Sequence, residues 1–185
     1  LTELAKEFGA KHQHLMWLHK RGRVLEESDG FFVETPALID VVRDVKRRAD
    51  ELGILVDNYE SLALRVNGRP HVKYDLGTQG WASLCVYADG HVYPSAAMAN
   101  HRPLDCGQAL NGFSLKELWL NSPVLQQIRQ ASVARKGALA HDPFRFLTGG
   151  GDLEHSYFYS GEFTGEDPYY PLYVANKWVD PLDRY

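Results

Sequence analysis

The stretch SLCVYADGHVYPSAAM, residues 83–98, decides how this chain is read. Two short β-prone runs, SLCVY and HVYP, flank Asp89-Gly90, a dipeptide suited to the tight turn of an antiparallel hairpin. The pattern predicts a small antiparallel unit within residues 56–95, with Asn67-Gly68 as a second turn of the same kind. Upstream the periodicity changes. Thr35-Pro36 reads as an N-cap and a first-turn proline, and Leu38, Val41, Val42, Val45, Ala49 and Leu52 recur at helical spacing up to Gly53. Leu1, Leu4 and Phe8 repeat in the same way ahead of Gly9, HQHLMWLHKRGR reads as an extended segment, and ILVDNYESLALRV as a strand region. Helix, strand, helix, strand is the order of helices packed on a parallel sheet.

Downstream of the hairpin, residues 96–112 read as loop. Ser114 with Glu117 has capping-box spacing, and Ser122-Pro123 opens a second short amphipathic helix. From Asp142 onward there are eight acidic residues and three basic ones, and nine of the 22 aromatics lie between Tyr157 and Tyr185. Such a tail is expected to be irregular and to pack against another surface as a strap or lid, because Tyr and Trp bury area while keeping a polar handle. In DPYYPLY the prolines argue against a regular helix.

The whole chain has 185 residues, 44% of them apolar, and a formal charge of −4. It is long enough to bury a core, and its mild acidity disfavours binding to nucleic acid or an anionic membrane. No apolar run approaches the roughly 20 residues of a membrane-spanning helix, and the start lacks the layout of a signal peptide, so a cytoplasmic protein is expected. The chain opens on Leu1, already in helical register, as though sequence upstream had been removed. Two cysteines, Cys85 and Cys106, are too few for a disulfide framework.

The hairpin string, then a glycine after a loop, then FSLKELWLNSPVLQQIR, then PFRFLTGGG resembles the C-terminal SPASM or twitch region of radical S-adenosylmethionine (radical SAM) proteins, over about residues 75–155. The preceding α/β part is similar to the last helix-strand-helix of the partial β/α barrel in that family. The resemblance implies an α/β fold in three parts: residues 1–66 ending the barrel, 67–155 a SPASM-like domain with a β-hairpin and two short helices, and 156–185 an aromatic acidic tail. It implies the C-terminal part of an enzyme of peptide or protein modification, or of enzyme maturation, this part binding substrate and covering the barrel. An iron–sulfur cluster and S-adenosylmethionine would serve the complete enzyme, with Leu18 and His19 nearest the cofactor or, more simply, lining the barrel–helix interface. The missing barrel half would lie upstream or on another chain.

The departures carry information too. Where the family places cysteines this chain has Ser95, Asp142, Thr148 and Asp152, with Thr78 a further replacement, and CxxxCxxC is absent from it. Hydroxyls are poor iron ligands. This chain alone therefore cannot do radical chemistry by the CxxxCxxC route, and it could equally hold no cofactor.

Other residues carry chemistry of their own. Cys85 and Cys106 are either ordinary thiols or, if the loop of residues 95–105 folds back, a mixed metal site completed by His101, His141, His155 or Asp152. Gly149, Gly150 and Gly151 could form an anion nest, although no phosphate loop or helix is expected to follow. Asp152, Glu154 and His155 offer either a general acid/base or metal-binding group or, more simply, a capping turn with a paired histidine. His12 and His14 fall on one face of the extended segment and Trp17 and His19 on the other. Lys20, Arg21 and Arg23 form a small basic cluster that meets a carboxylate or phosphate, or is solvated. Two further readings stand beside the radical enzyme: a binding or adaptor module that kept the fold without clusters, and a metal-dependent hydrolase centred on Asp152, Glu154 and His155.

Overall fold

The computed structural model describes residues 1–26, 32–58, 76–110, 114–146 and 148–175. Asn67-Gly68, Gly112, the far end of the tail and most of residues 54–66 lie outside them.

The N-terminal part is a parallel β-α-β unit. Helix α1 (Thr2–Glu7) leads to strand β1 (His12–Gln13), and α2 (Thr35–Leu52) carries the chain back to β2 (Leu55–Val56). His12 stands opposite Leu55 and Gln13 opposite Val56. Helix α2 ends where expected, because Gly53 takes the left-handed φ of 69° that closes a helix. Its N-cap is Glu34, not Thr35: the Thr35 hydroxyl instead donates to the Pro168 carbonyl of the tail at 2.8 Å. Leu38, Val42 and Ala49 are buried, while Arg47 and Arg48 on the outer face pair with Glu51.

Helix α1 forms, but its apolar stripe does not turn inward. Leu1 and Phe8 are 95% and 81% exposed, and the contacts with Ala49, Ile54 and Val56 come from Ala5. The segment after β1 keeps strand-like alternation through His19. Leu15 and Trp17 pack toward α2 and the tail, while His12, His14, Met16 and Leu18 are exposed.

The second part is a three-stranded antiparallel sheet in the order β3 (Cys85–Val86), β4 (His91–Tyr93), β5 (Gly107–Gln108). The Asp89-Gly90 hairpin forms as read, Cys85 opposite Tyr93. A side chain on Gly90, at φ 85°, would come within 2.2 Å of Gln108 Oε1. The expected loop of residues 96–112 is corrected. Gly107–Gln108 adds a third strand, and Ala96–Met98 and Arg102–Leu104 are turns of 3-10 helix. Pairing with β5 satisfies the far edge of β4, which a loop would leave open.

Helices α3 (Leu115–Asn121) and α4 (Pro123–Gln130) pack beneath this sheet. Ser114 and Glu117 close a full capping box. Leu125 and Ile128 of α4 are fully buried, Leu125 with Val92 and Cys106, Ile128 with Leu76, Met98, Leu104, Val133 and Leu153.

The tail is helical where irregular chain was expected. Helix α5 (Leu153–Ser160) opens directly after the three glycines, and α6 (Tyr170–Ala175) contains Pro171 in its first turn, where a missing N–H costs nothing. Tyr169 and Leu172 close over Leu38 and Val42, so the surface that the tail covers is this chain's own α2. The fold is mixed α/β: six α-helices, a two-stranded parallel sheet and a three-stranded antiparallel sheet among the described residues.

Candidate functional site

Where the β-α-β unit meets the hairpin unit, polar and aromatic side chains from residues 17–21 interlock with residues 152–169. The glycine turn makes this possible. Gly149, Gly150 and Gly151 have φ of 70°, 71° and 90°, and a Cβ on Gly151 would lie 2.5 Å from Asp167 Oδ2. Three successive left-handed residues let the chain reverse beside Leu76, which donates to the Gly149 carbonyl and accepts from Leu153 N–H.

The anion beside this turn belongs to the chain. Asp167, only 1% exposed, accepts from Asp152 N–H at 2.8 Å and Tyr169 N–H at 2.9 Å, and its Oδ1 lies 3.4 Å from His155 Nδ1. Burial raises the Asp167 pKa, but the His155 contact and these backbone donors outweigh it and hold the carboxyl below its ordinary range. Burial alone would depress His155. The Asp167 contact and the charges of Asp152, Asp167 and Glu154 overcome it, and the imidazole stands above its usual value. His155 stacks on His19 at 4.5 Å, and Tyr169 meets both rings edge-on. Burial first, then the His155 and Arg21 charges, pushes His19 down to about 4.

Glu154 points the other way from the same helix. It accepts from Arg21 at 3.1 Å, Gln79 at 3.0 Å and Ser95. Burial and the Asp152 charge raise its pKa against these donors. Asp152 caps α5, accepting from the Glu154 and His155 amides. Asp152, Glu154 and His155 are thus neighbours in sequence whose side chains serve three separate tasks: a cap, a hub for three donors, and a ring stack. This is the capping-turn reading in its full form.

Beneath the turn, Lys136 is 1% exposed, its ammonium donating to the Gly150 carbonyl and Ser156 Oγ, each at 2.7 Å. Burial lowers its pKa, opposed by Asp167, Asp152 and Glu166. Lys136, Asp167, Tyr169 and Gln79 were missed in the sequence. Asp167 had one signal, an Asp before Pro168 entering an aromatic run; Lys136 had none.

The other candidates separate. Cys85 is half-buried on β3, and Cys106 sits in the core with Val92 and Leu125, its thiol 3.7 Å from the Leu104 carbonyl and its pKa raised by burial. His101 stands edge-on to Tyr157 and Phe158, its pKa lowered by burial. Among the described residues no three His, Cys, Asp or Glu side chains gather to hold a metal. Leu18 and His19 fall on opposite faces: Leu18 is exposed, whereas His19 is enclosed by Trp17, His155 and Tyr169, so the two do not face one cofactor together.

The positions at which the resemblance expects cluster cysteines are occupied by internal bonding. Ser95 donates to Glu154, Asp142 accepts from Phe144 N–H, Thr148 donates to the Phe144 carbonyl and accepts from Gly150 N–H, and Asp152 caps α5. These oxygens do not fit an iron–sulfur cluster, which is held by thiolates.

No protein-family model, curated protein or solved structure matches the chain. No helix among the described residues is long and apolar enough to cross a membrane.

Proposed function

We propose that this chain is the C-terminal, substrate-holding part of a radical SAM enzyme that modifies a peptide or protein or matures a partner enzyme. The observation that carries the reading is the β-α-β unit. Helix α2 covers one side of its two parallel strands, while the other side carries His12, His14, Met16, Leu18 and Leu55, all exposed, with His14 held 2.6 Å from Asp57. A parallel pair covered on one side among the described residues favours a larger sheet, because parallel strands are stable when both faces are covered. Strands from the rest of a barrel, on the same polypeptide or a partner chain, would cover that side. S-adenosylmethionine and its cluster would supply the radical chemistry from that other half; the residues here bind substrate and close the barrel mouth.

A second reading has an observation of its own. Ser95, Asp142, Thr148 and Asp152 are all engaged within the chain, which favours an adaptor that keeps the scaffold and binds without catalysis. The metal-dependent hydrolase gains no such support, since Asp152, Glu154 and His155 are occupied with one another's backbone, Arg21 and Asp167.

The test is to express the full product of the gene that encodes this chain and purify it without oxygen. The radical reading expects stoichiometric iron and sulfide and reductive cleavage of S-adenosylmethionine, unchanged when Cys85 and Cys106 are both replaced by alanine. A metal-free, air-stable product that leaves S-adenosylmethionine intact overturns it in favour of the adaptor.

A further inference from the structure

The basic cluster divides in three. Lys20 places its ammonium 5.8 Å over the Tyr159 ring, and Arg21 is paired with Glu154 at 3.1 Å. Arg23 has no ion-pair partner among the described residues. It lines instead a pocket of about 320 Å³ between the 3-10 turn Gly22–Glu26 and the loop after β4, together with Gly22, Glu26, Ala99, Asn100 and His101.

Four properties of this pocket point to one ligand chemistry. Arg23 and Glu26 stand on the same short turn, and Glu26 likewise has no ion-pair partner among the described residues, so among these residues the pocket presents one positive and one negative side chain. His101 adds no charge to that balance: its ring is backed by Tyr157 at 5.7 Å and Phe158 at 5.2 Å, and burial depresses its pKa. Asn100 is held at φ 63°, a backbone state uncommon for a residue with a side chain, and its amide brings both a donor and an acceptor to the wall. The volume lies at the lower end of small-molecule sites and suits a ligand the size of an amino acid.

We infer that this pocket binds a free α-amino acid as its zwitterion, Arg23 receiving the carboxylate, Glu26 the ammonium, and Asn100 and His101 fixing its orientation. A guanidinium engages a carboxylate through paired hydrogen bonds, and a carboxylate is the matching acceptor for an ammonium. The site needs no iron, so it stands apart from the radical-enzyme reading.

Saturation-transfer NMR on this chain with a mixture of the protein amino acids, followed by calorimetric titration of those that bind, tests the assignment. At least one free amino acid should bind saturably, and its N-acetyl and amide derivatives should each bind about tenfold more weakly or worse. Arg23→Gln and Glu26→Gln, both at exposed positions, should each weaken binding to a similar degree while the circular dichroism spectrum is unchanged. Absence of any saturable amino acid overturns the inference. So does binding that survives both substitutions, or acetate binding as tightly as the amino acid, which would mark a plain anion site.

Discussion

At the residue scale, the glycine turn shows how one backbone requirement organises a site. Gly151 sits at φ 90° with the Asp167 carboxylate 2.5 Å from where a Cβ would be. Alanine there combines left-handed strain with a clash against a group that is 1% exposed and bound to two amides. Gly151→Ala is expected to cost about 2–4 kcal/mol, the sum of strain and a weakened buried network, in urea unfolding. Gly161→Ala is the matched control: its φ of 83° carries the same strain, but a Cβ there meets nothing within 4 Å, so its cost should be about 1–2 kcal/mol. Equal losses at the two positions would mean that the Asp167 contact contributes nothing.

At the element scale, the tail behaves as a clasp. Leu172 of α6 is fully buried against Leu38 and Val42 of α2, and the Thr35 hydroxyl holds the Pro168 carbonyl. Leu172→Ala removes the side chain at the centre of this contact and should destabilise the protein by about 2–5 kcal/mol. Hydrogen exchange in α6 should rise first and furthest, because a helix this short has little stability without its packing. Uniform acceleration across α3 and α4 as well would show that the tail is part of one indivisible core. Elements differed in how far local signals foretold them. Ser114-Glu117, Ser122-Pro123, Gly53 and Asp89-Gly90 act within a few residues, so their helices and hairpin were legible. Helices α5 and α6 were not. Their start depends on Asp152 and on Asp167 fifteen residues later, and Pro171 is tolerated only because of where the helix begins.

At the scale of the whole molecule, the two parts meet through His19 and His155, and that junction makes stability depend on pH. His19 titrates at about 4 in the fold against 6.5 when free, so between those values the unfolded chain binds a proton that the folded chain does not. Stability should therefore fall as pH drops from 6.5 toward 4. His155 has the opposite sign: its raised pKa contributes stability that is complete below its free value and is lost as pH rises through the folded value. A maximum near the free histidine range follows. His19→Phe keeps a ring against His155 and should flatten the acid side of the urea-midpoint profile; an unaltered profile would place the acid sensitivity elsewhere. Asp167, with its lowered pKa, adds a further loss only at the acid extreme.

The same division separates what was legible in the amino-acid order from what was not. The order alone pointed to the β-α-β periodicity, the hairpin and the two helices after it, and offered a cap at Asp152 as one of two readings, since each depends on propensity, turn chemistry or hydrogen bonds between near neighbours. It also marked the stretch 149–157 as chemically dense. Which partners those groups would take was decided by the fold: Arg21 reaches Glu154 across 133 residues, His19 finds His155, and Asp167 occupies the turn that the glycines shape. The exposed stripe of α1 and the burial of Cys106 in the core belong to the same class. Contacts between distant residues are chosen by global packing, in which burial and charge are settled together, and no local spacing encodes that choice.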